Sequence, residues 1–192
     1  MVKHPAIPKM NCQTSSKPKW ISRSWGGSLN LRWWKVNRGT RVLIVDDDER
    51  IRTVLSLILR EHGYIVETAK DGKEAIAKSN ARFFSLVVID VRLPDIEGIK
   101  LLSMLRETFP KTRKIVITGY PTLRNAIESL NRGADAYLLK PLDIEELLRT
   151  ISEQLTRQEQ DLTYDRQRVT EFIRSHKKEL EKRQATTSEQ GR

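Results

Sequence analysis

Four short polar groups in this chain carry the residue types for phosphoryl chemistry: Asp46-Asp47-Asp48, Asp90, Thr118-Gly119 and Lys140-Pro141. Clustered carboxylates repel one another and raise each other's pKa unless a cation neutralises them. Mg²⁺ suits such a cluster, because it takes oxygen ligands and binds one or two carboxylates plus a phosphate while keeping several waters. With the metal screening the incoming negative charge, Asp90 is suited to act as nucleophile on a phosphoryl group. Lys140 and the Thr118 hydroxyl are donors for two phosphoryl oxygens. The product of that reaction is an aspartyl phosphate.

For these groups to meet, the elements before them must bring them to one edge. Each follows a short apolar run, and the runs are Val42–Val45, Tyr64–Val66, Leu86–Ile89, Ile115–Ile117 and Ala136–Leu139. Between the runs lie segments with apolar residues at helical spacing. The first holds Ile51, Val54, Leu55, Ile58 and Leu59, and the second Ala75 and Ile76; the third holds Ile99, Leu102 and Leu105, and the fourth Leu123, Ala126, Ile127 and Leu130. A last helix starts near Asp143. Gly63, Asp71-Gly72, Pro94, Pro110, Pro121 and Gly133 punctuate the exchanges, Gly63 and Gly133 as helix C-terminal glycines. Five strands alternating with helices predict an α/β domain, a doubly wound parallel sheet with right-handed crossovers. Near-continuous apolar strands agree, being buried on both faces. In such a sheet the residues after each strand gather along the carboxyl edge, where ligands bind.

The segments VLIVDDDER (42–50), LVVIDVRLPDIEG (86–98), IVITGY (115–120) and GADAYLLKPLD (133–143) closely resemble the response-regulator receiver family of two-component signalling. The resemblance covers roughly residues 40–155 and implies a flavodoxin-like five-stranded fold. It implies that Asp90 accepts phosphate from the phosphohistidine of a sensor histidine kinase or phosphotransfer protein. It further implies that Asp46, Asp47, Asp90 and the main-chain carbonyl of Arg92 hold Mg²⁺, and that Thr118 and Lys140 contact the phosphoryl group. Tyr137 matches the aromatic switch position, and the Lys140-Pro141 bond is expected to be cis. Arg92 and Tyr120 fall at positions that modulate dephosphorylation, and their bulk predicts shielding of the phosphate from water. Leu142 stands where Phe is common in the family.

The same residues have plainer readings. Asp46–Asp48 with Glu49 could serve as an acidic N-cap, which is the role expected of Asp48. Asp90, Thr118 and Lys140 could separately be a turn residue, a strand-end hydroxyl and a surface charge, and Tyr137 an ordinary half-buried strand aromatic. His4, His62 and His176 have no metal-ligand spacing. Asp46, Asp48, Thr118 and Lys140 also resemble, piece by piece, haloacid-dehalogenase-type phosphatases. In that family an acidic pair follows the lysine on a strand, whereas Glu145-Glu146 here falls in a helical segment.

The chain of 192 residues has a formal net charge of +10, the signature of a nucleic-acid or acidic-membrane binder. Residues 1–40 hold 8 lysines and arginines, no acidic residue, all four tryptophans and the single cysteine, Cys12. The charge therefore belongs to a basic, Trp-containing extension, which is expected to be disordered, and not to the receiver segment at 41–155. A transcription or nucleic-acid regulator acting through residues 1–40 is the competing function. One cysteine excludes an internal disulfide and fits a reducing, cytoplasmic setting. No apolar run approaches the roughly 18–20 residues of a membrane span. Residues 156–192 are expected to form a helical tail with a frayed end after Lys182. Leu148, Leu155, Leu162 and Val169 recur every seven residues, with Ile151 and Phe172 alongside, but Gln158 and Asp165 interrupt the seam. A weak coiled coil supporting a homodimer, or a helix partly packed on the domain, is the expectation. The tail leaves too little chain for a full DNA-binding output domain, so the reading is a phosphoacceptor signalling module and not an enzyme.

Overall fold

The computed structural model describes the backbone of residues 39–189 and the side chains of residues 39–177. The expectation of a disordered extension at 1–40 thus lies outside the described residues apart from its last two positions. Strands β1 (Arg41–Val45), β2 (Ile65–Ala69), β3 (Leu86–Asp90), β4 (Arg113–Thr118) and β5 (Ala136–Leu139) alternate with helices. These are α1 (Glu49–Glu61), α2 (Gly72–Ala81), α3 (Gly98–Met104), α4 (Leu123–Asn131) and α5 (Ile144–Glu189). All strand pairs are parallel, in the order β2-β1-β3-β4-β5. The order reverses between β1 and β3, so the crevice at their carboxyl ends is the switch point where open α/β sheets bind ligands.

Alternation along the strands builds two cores. Val42 and Ile44 of β1, with Val88, Ile115 and Ile117, pack against Leu55 and Leu59 of α1 and Leu147, Ile151 and Leu155 of α5. Leu43 and Val45, with Val87, Ile89 and Val116, pack on Ala75 of α2 and Ile99, Leu101 and Leu102 of α3. Each fully buried aliphatic contributes about 1.5–3 kcal/mol, more than any exposed ion pair of the domain, so the two-sided sheet sets the geometry.

Helix ends follow their local chemistry. Asp48 accepts from Arg50 N at 2.8 Å, Asp71 from Glu74 N at 2.8 Å and Thr122 from Asn125 N at 3.1 Å. Gly63 and Gly133 have φ of +88° and +86°, the left-handed conformation expected at helix ends. Two strands differ from their sequence-based bounds by more than one residue. β2 starts at Ile65, with Tyr64 buried just before it, and runs on to Ala69 through Glu67 and Thr68, polar residues that an edge strand accommodates. β4 starts at Arg113, earlier than Ile115, because both basic residues at its start are tied down. Arg113 pairs with Asp135 at 2.8 Å and with Asp161, and the Lys114 ammonium donates to Leu102 O at 2.5 Å.

Helix α5 is 46 residues long, about 69 Å, well beyond the thickness of the sheet. Gln158, which interrupts the apolar seam, is the point at which the helix leaves the domain: its amide donates to Ser85 O at 3.0 Å and Lys111 O at 2.6 Å. The backbone stays helical to Glu189, past the Lys182 position where composition suggests fraying. Among the described residues no helix is long and apolar enough to cross a membrane.

One close approach links the fold to the carboxyl edge. Gly98, the first residue of α3, donates to Val91 O at 2.8 Å, and a Cβ at this position would lie 1.9 Å from Asp90 O. Two stability predictions follow from these contacts. Gly98→Ala forces the backbone of Asp90 to move and costs at least about 3 kcal/mol, read as a lower urea midpoint. Arg113→Met removes the cation from Asp135, which keeps only the Lys114 amide, and costs about 3 kcal/mol in the same titration, whereas an exposed-pair change such as Lys100→Met is nearly neutral.

Candidate functional site

Asp46 follows β1 directly and is fully buried. Its Oδ1 accepts from Asp48 N at 2.9 Å, a turn that also places Asp48 as the cap of α1. Asp90 is the last residue of β3, and its Oδ1 accepts from Arg92 N at 3.3 Å. Lys140 follows β5 and reaches across the edge; its ammonium donates to Asp46 Oδ2 at 2.8 Å and to Asp90 Oδ2 at 2.6 Å. Three elements far apart in sequence thus converge on one cation. The Lys140-Pro141 bond is cis, as is Phe109-Pro110, which was not anticipated from sequence.

Burial pushes the Asp46 carboxyl above the usual range; Lys140 and the Asp48 amide counter that rise, and the charge on Asp90 adds to it. Burial works to lower Lys140, but its bonds to Asp46 and Asp90 outweigh burial and hold its pKa above the ordinary value. The lysine therefore stays charged between the two carboxylates. Asp47 is exposed, yet one oxygen from each of Asp46, Asp47 and Asp90 lies within 4.8 Å of the others. Three carboxylate oxygens in that space form a hard donor set that fits Mg²⁺ and offers nothing to a soft metal.

Thr118 ends β4 almost fully buried, and its hydroxyl accepts from Tyr120 N at 3.1 Å. Lys140 N donates to Thr118 O at 2.7 Å, which joins the β4 and β5 ends. Tyr137 is half-buried, with its hydroxyl enclosed and lacking a hydrogen bond of good geometry. Burial raises its pKa, and the nearby Thr118 hydroxyl offsets part of that rise. The Arg92 guanidinium stacks over the Tyr120 ring, 3.3 Å from its centroid, so the two bulky residues form one lid-like pair. A cavity of about 610 Å³ opens between the β3–α3 and β4–α4 loops, with Arg92, Thr118 and Tyr120 in its wall.

Three supporting residues escaped the sequence reading. Arg52 donates to Asp46 O at 2.8 Å and Asp47 O at 2.9 Å and so fixes the acidic turn from α1. Asp95 accepts from Gly72 N and Lys73 N, both at 2.9 Å, and anchors the loop after Asp90 to the start of α2. Gly98 presses on the Asp90 carbonyl. Only Gly98 carried a sequence signal, as the glycine closing LPDIEG.

Known proteins share this fold. A family model described as the response regulator receiver domain matches residues 42–152. The transcriptional regulatory protein ZraR of Klebsiella oxytoca is 38% identical over 114 residues, which are 59% of this chain and 26% of that protein. The chain thus spans about a quarter of that relative's length. A CheY-like receiver domain protein from Methanospirillum hungatei superposes with a TM-score of 0.61 at 44% identity, covering 64% of this chain and 98% of that one. A response regulator from Burkholderia pseudomallei, solved with a phosphorylated aspartic acid, a calcium ion and citrate, gives 0.57 at 28% identity, covering 66% and 74%. With the parallel sheet, the acidic pocket at its switch point and the matched model all in place, this chain belongs to the response regulator receiver domain family.

Proposed function

We propose that the chain is a phosphorelay receiver whose Asp90 accepts a phosphoryl group from a histidine kinase or phosphotransfer protein in the cytoplasm and thereby switches protein contacts. The observation that carries this reading is the Lys140 ammonium held between Asp46 and Asp90 at the β1/β3 switch point. An Asp90 carboxylate oxygen forms the new O–P bond as the N–P bond of the phosphohistidine breaks, and the imidazole, protonated by solvent at its other nitrogen, leaves as the neutral ring. Asp46, Asp47, Asp90 and the Arg92 carbonyl would hold Mg²⁺, which would supply positive charge to screen the incoming phosphoryl oxygens. Lys140 and the Thr118 hydroxyl donate to two of those oxygens, and this draws Thr118 away from Tyr120 N. Tyr137, whose hydroxyl has no strong partner to give up, then turns toward the space behind Thr118, biasing a two-state equilibrium. The receiver unit is 41–155, with the basic extension at 1–40 and the helical tail at 156–192 flanking it.

The phosphatase alternative requires Asp48 as an acid/base facing the reacting group. Asp48 instead caps α1 from an exposed position, which favours the receiver reading. The alternative of a nucleic-acid regulator acting through residues 1–40 concerns residues outside those described.

Intact-mass measurement after incubation with Mg²⁺ and a small acyl-phosphate donor is expected to show one phosphoryl adduct. Asp90→Asn, or chelation of the metal, abolishes it; an adduct mapped to Asp46 sinks the proposal in favour of the phosphatase. The Arg92–Tyr120 stack predicts slow loss of the phosphate, and Arg92→Ala is expected to shorten its lifetime several-fold in the same mass assay. An unchanged lifetime removes the shielding role.

A further inference from the structure

Beyond Asp161, which Arg113 holds to β4, α5 runs past the edge of the domain. Leu162 is half-buried, and every later side chain described is exposed. Residues 159–189 nevertheless continue as helix for about 47 Å. Helices in water draw most of their stability from packing an amphipathic face. The face that packs on the sheet through Leu147, Ile151 and Leu155 runs on past the domain edge through Leu162, Val169, Phe172 and Ile173. Val169, Phe172 and Ile173 are 57%, 61% and 60% exposed. The spacing of Leu162, Arg166, Val169, Ile173, His176 and, by sequence, Leu180 alternates between four and three residues. That is the 3.5-residue period of a coiled-coil seam, and its natural complement is a second helix of the same kind.

We propose that this segment pairs in parallel with the same segment of a second copy of the chain. Phe172, 61% exposed, is the largest apolar side chain that pairing would cover. Flanking contacts set the parallel arrangement: in that register Phe172 meets Lys177 of the other copy, a cation–π pairing, and Asp165 meets the uncharged Thr170. Arg166 within the seam favours two strands, where its long stem covers apolar surface and its charged end reaches water. The ring contact of Phe172 with His176, centroids 4.3 Å apart, already lines up that side of the helix. Gln158 and the Arg113–Asp161 pair fix the start of the segment to the domain, so the pairing does not depend on the phosphoacceptor chemistry.

Light scattering on the full chain is expected to give twice the 22.3 kDa of one chain. Ile173→Asp returns the mass of one chain, whereas Tyr164→Asp, on the opposite side of the helix, leaves the pair intact. A one-chain mass for the wild type, or a pair that survives Ile173→Asp, overturns the proposal. All four tryptophans precede residue 40, so tryptophan emission reports only on the extension. A monomer with blue-shifted emission that moves red in Ile173→Asp assigns the face to the extension and also overturns it. Oxidation of Val169→Cys in a Cys12→Ser background yields a covalent pair if the helices are parallel; failure to cross-link overturns that orientation.

Discussion

The domain is organised around one half-buried cation between two buried anions. Asp46 and Asp90 sit side by side at the carboxyl ends of adjacent strands, where two desolvated carboxylates alone would repel and favour protonation. The Lys140 ammonium relieves that repulsion, and Asp46 in turn keeps Lys140 charged despite its burial. The arrangement needs β1, β3 and β5 in fixed register, because a shift of one residue would turn every side chain to the opposite face. The two hydrophobic cores supply that register, and the polar edge is the part they leave open.

Holding charges at the edge also requires the loops between them to be rigid. The β1–α1 turn is closed by Arg52 on two carbonyls, and the loop after Asp90 is held at both ends, by Asp95 on the α2 amides and by Gly98 against the Asp90 backbone. None of these groups needs to touch a phosphoryl group. Their common effect is to fix the position of the Asp90 carboxylate at the sheet edge.

Much of this was legible in the sequence because it depends on local pattern. Apolar runs followed by Asp46, Asp90, Thr118 and Lys140 identify both the sheet and its polar carboxyl edge, since a parallel sheet aligns strand ends without further information. The C-terminal glycines and the Asp48 cap were legible for the same reason. What escaped depends on partners distant in sequence. Arg113 and Lys114 read as polar positions before a strand until Asp135, Asp161 and Leu102 O are seen beside them. Gln158 reads as a fault in a heptad and proves to be a tether to Ser85 and Lys111. Arg52 and Asp95 act on backbone groups, which leave no trace in residue type.

The strand β4 carries Thr118 at one pole of the domain and Arg113 at the other, and Arg113 grips Asp161 just where α5 departs. This makes the projecting helix a lever arm with its fulcrum at Gln158. Over an arm of about 47 Å, a tilt of 5° at the fulcrum displaces the far end by about 4 Å.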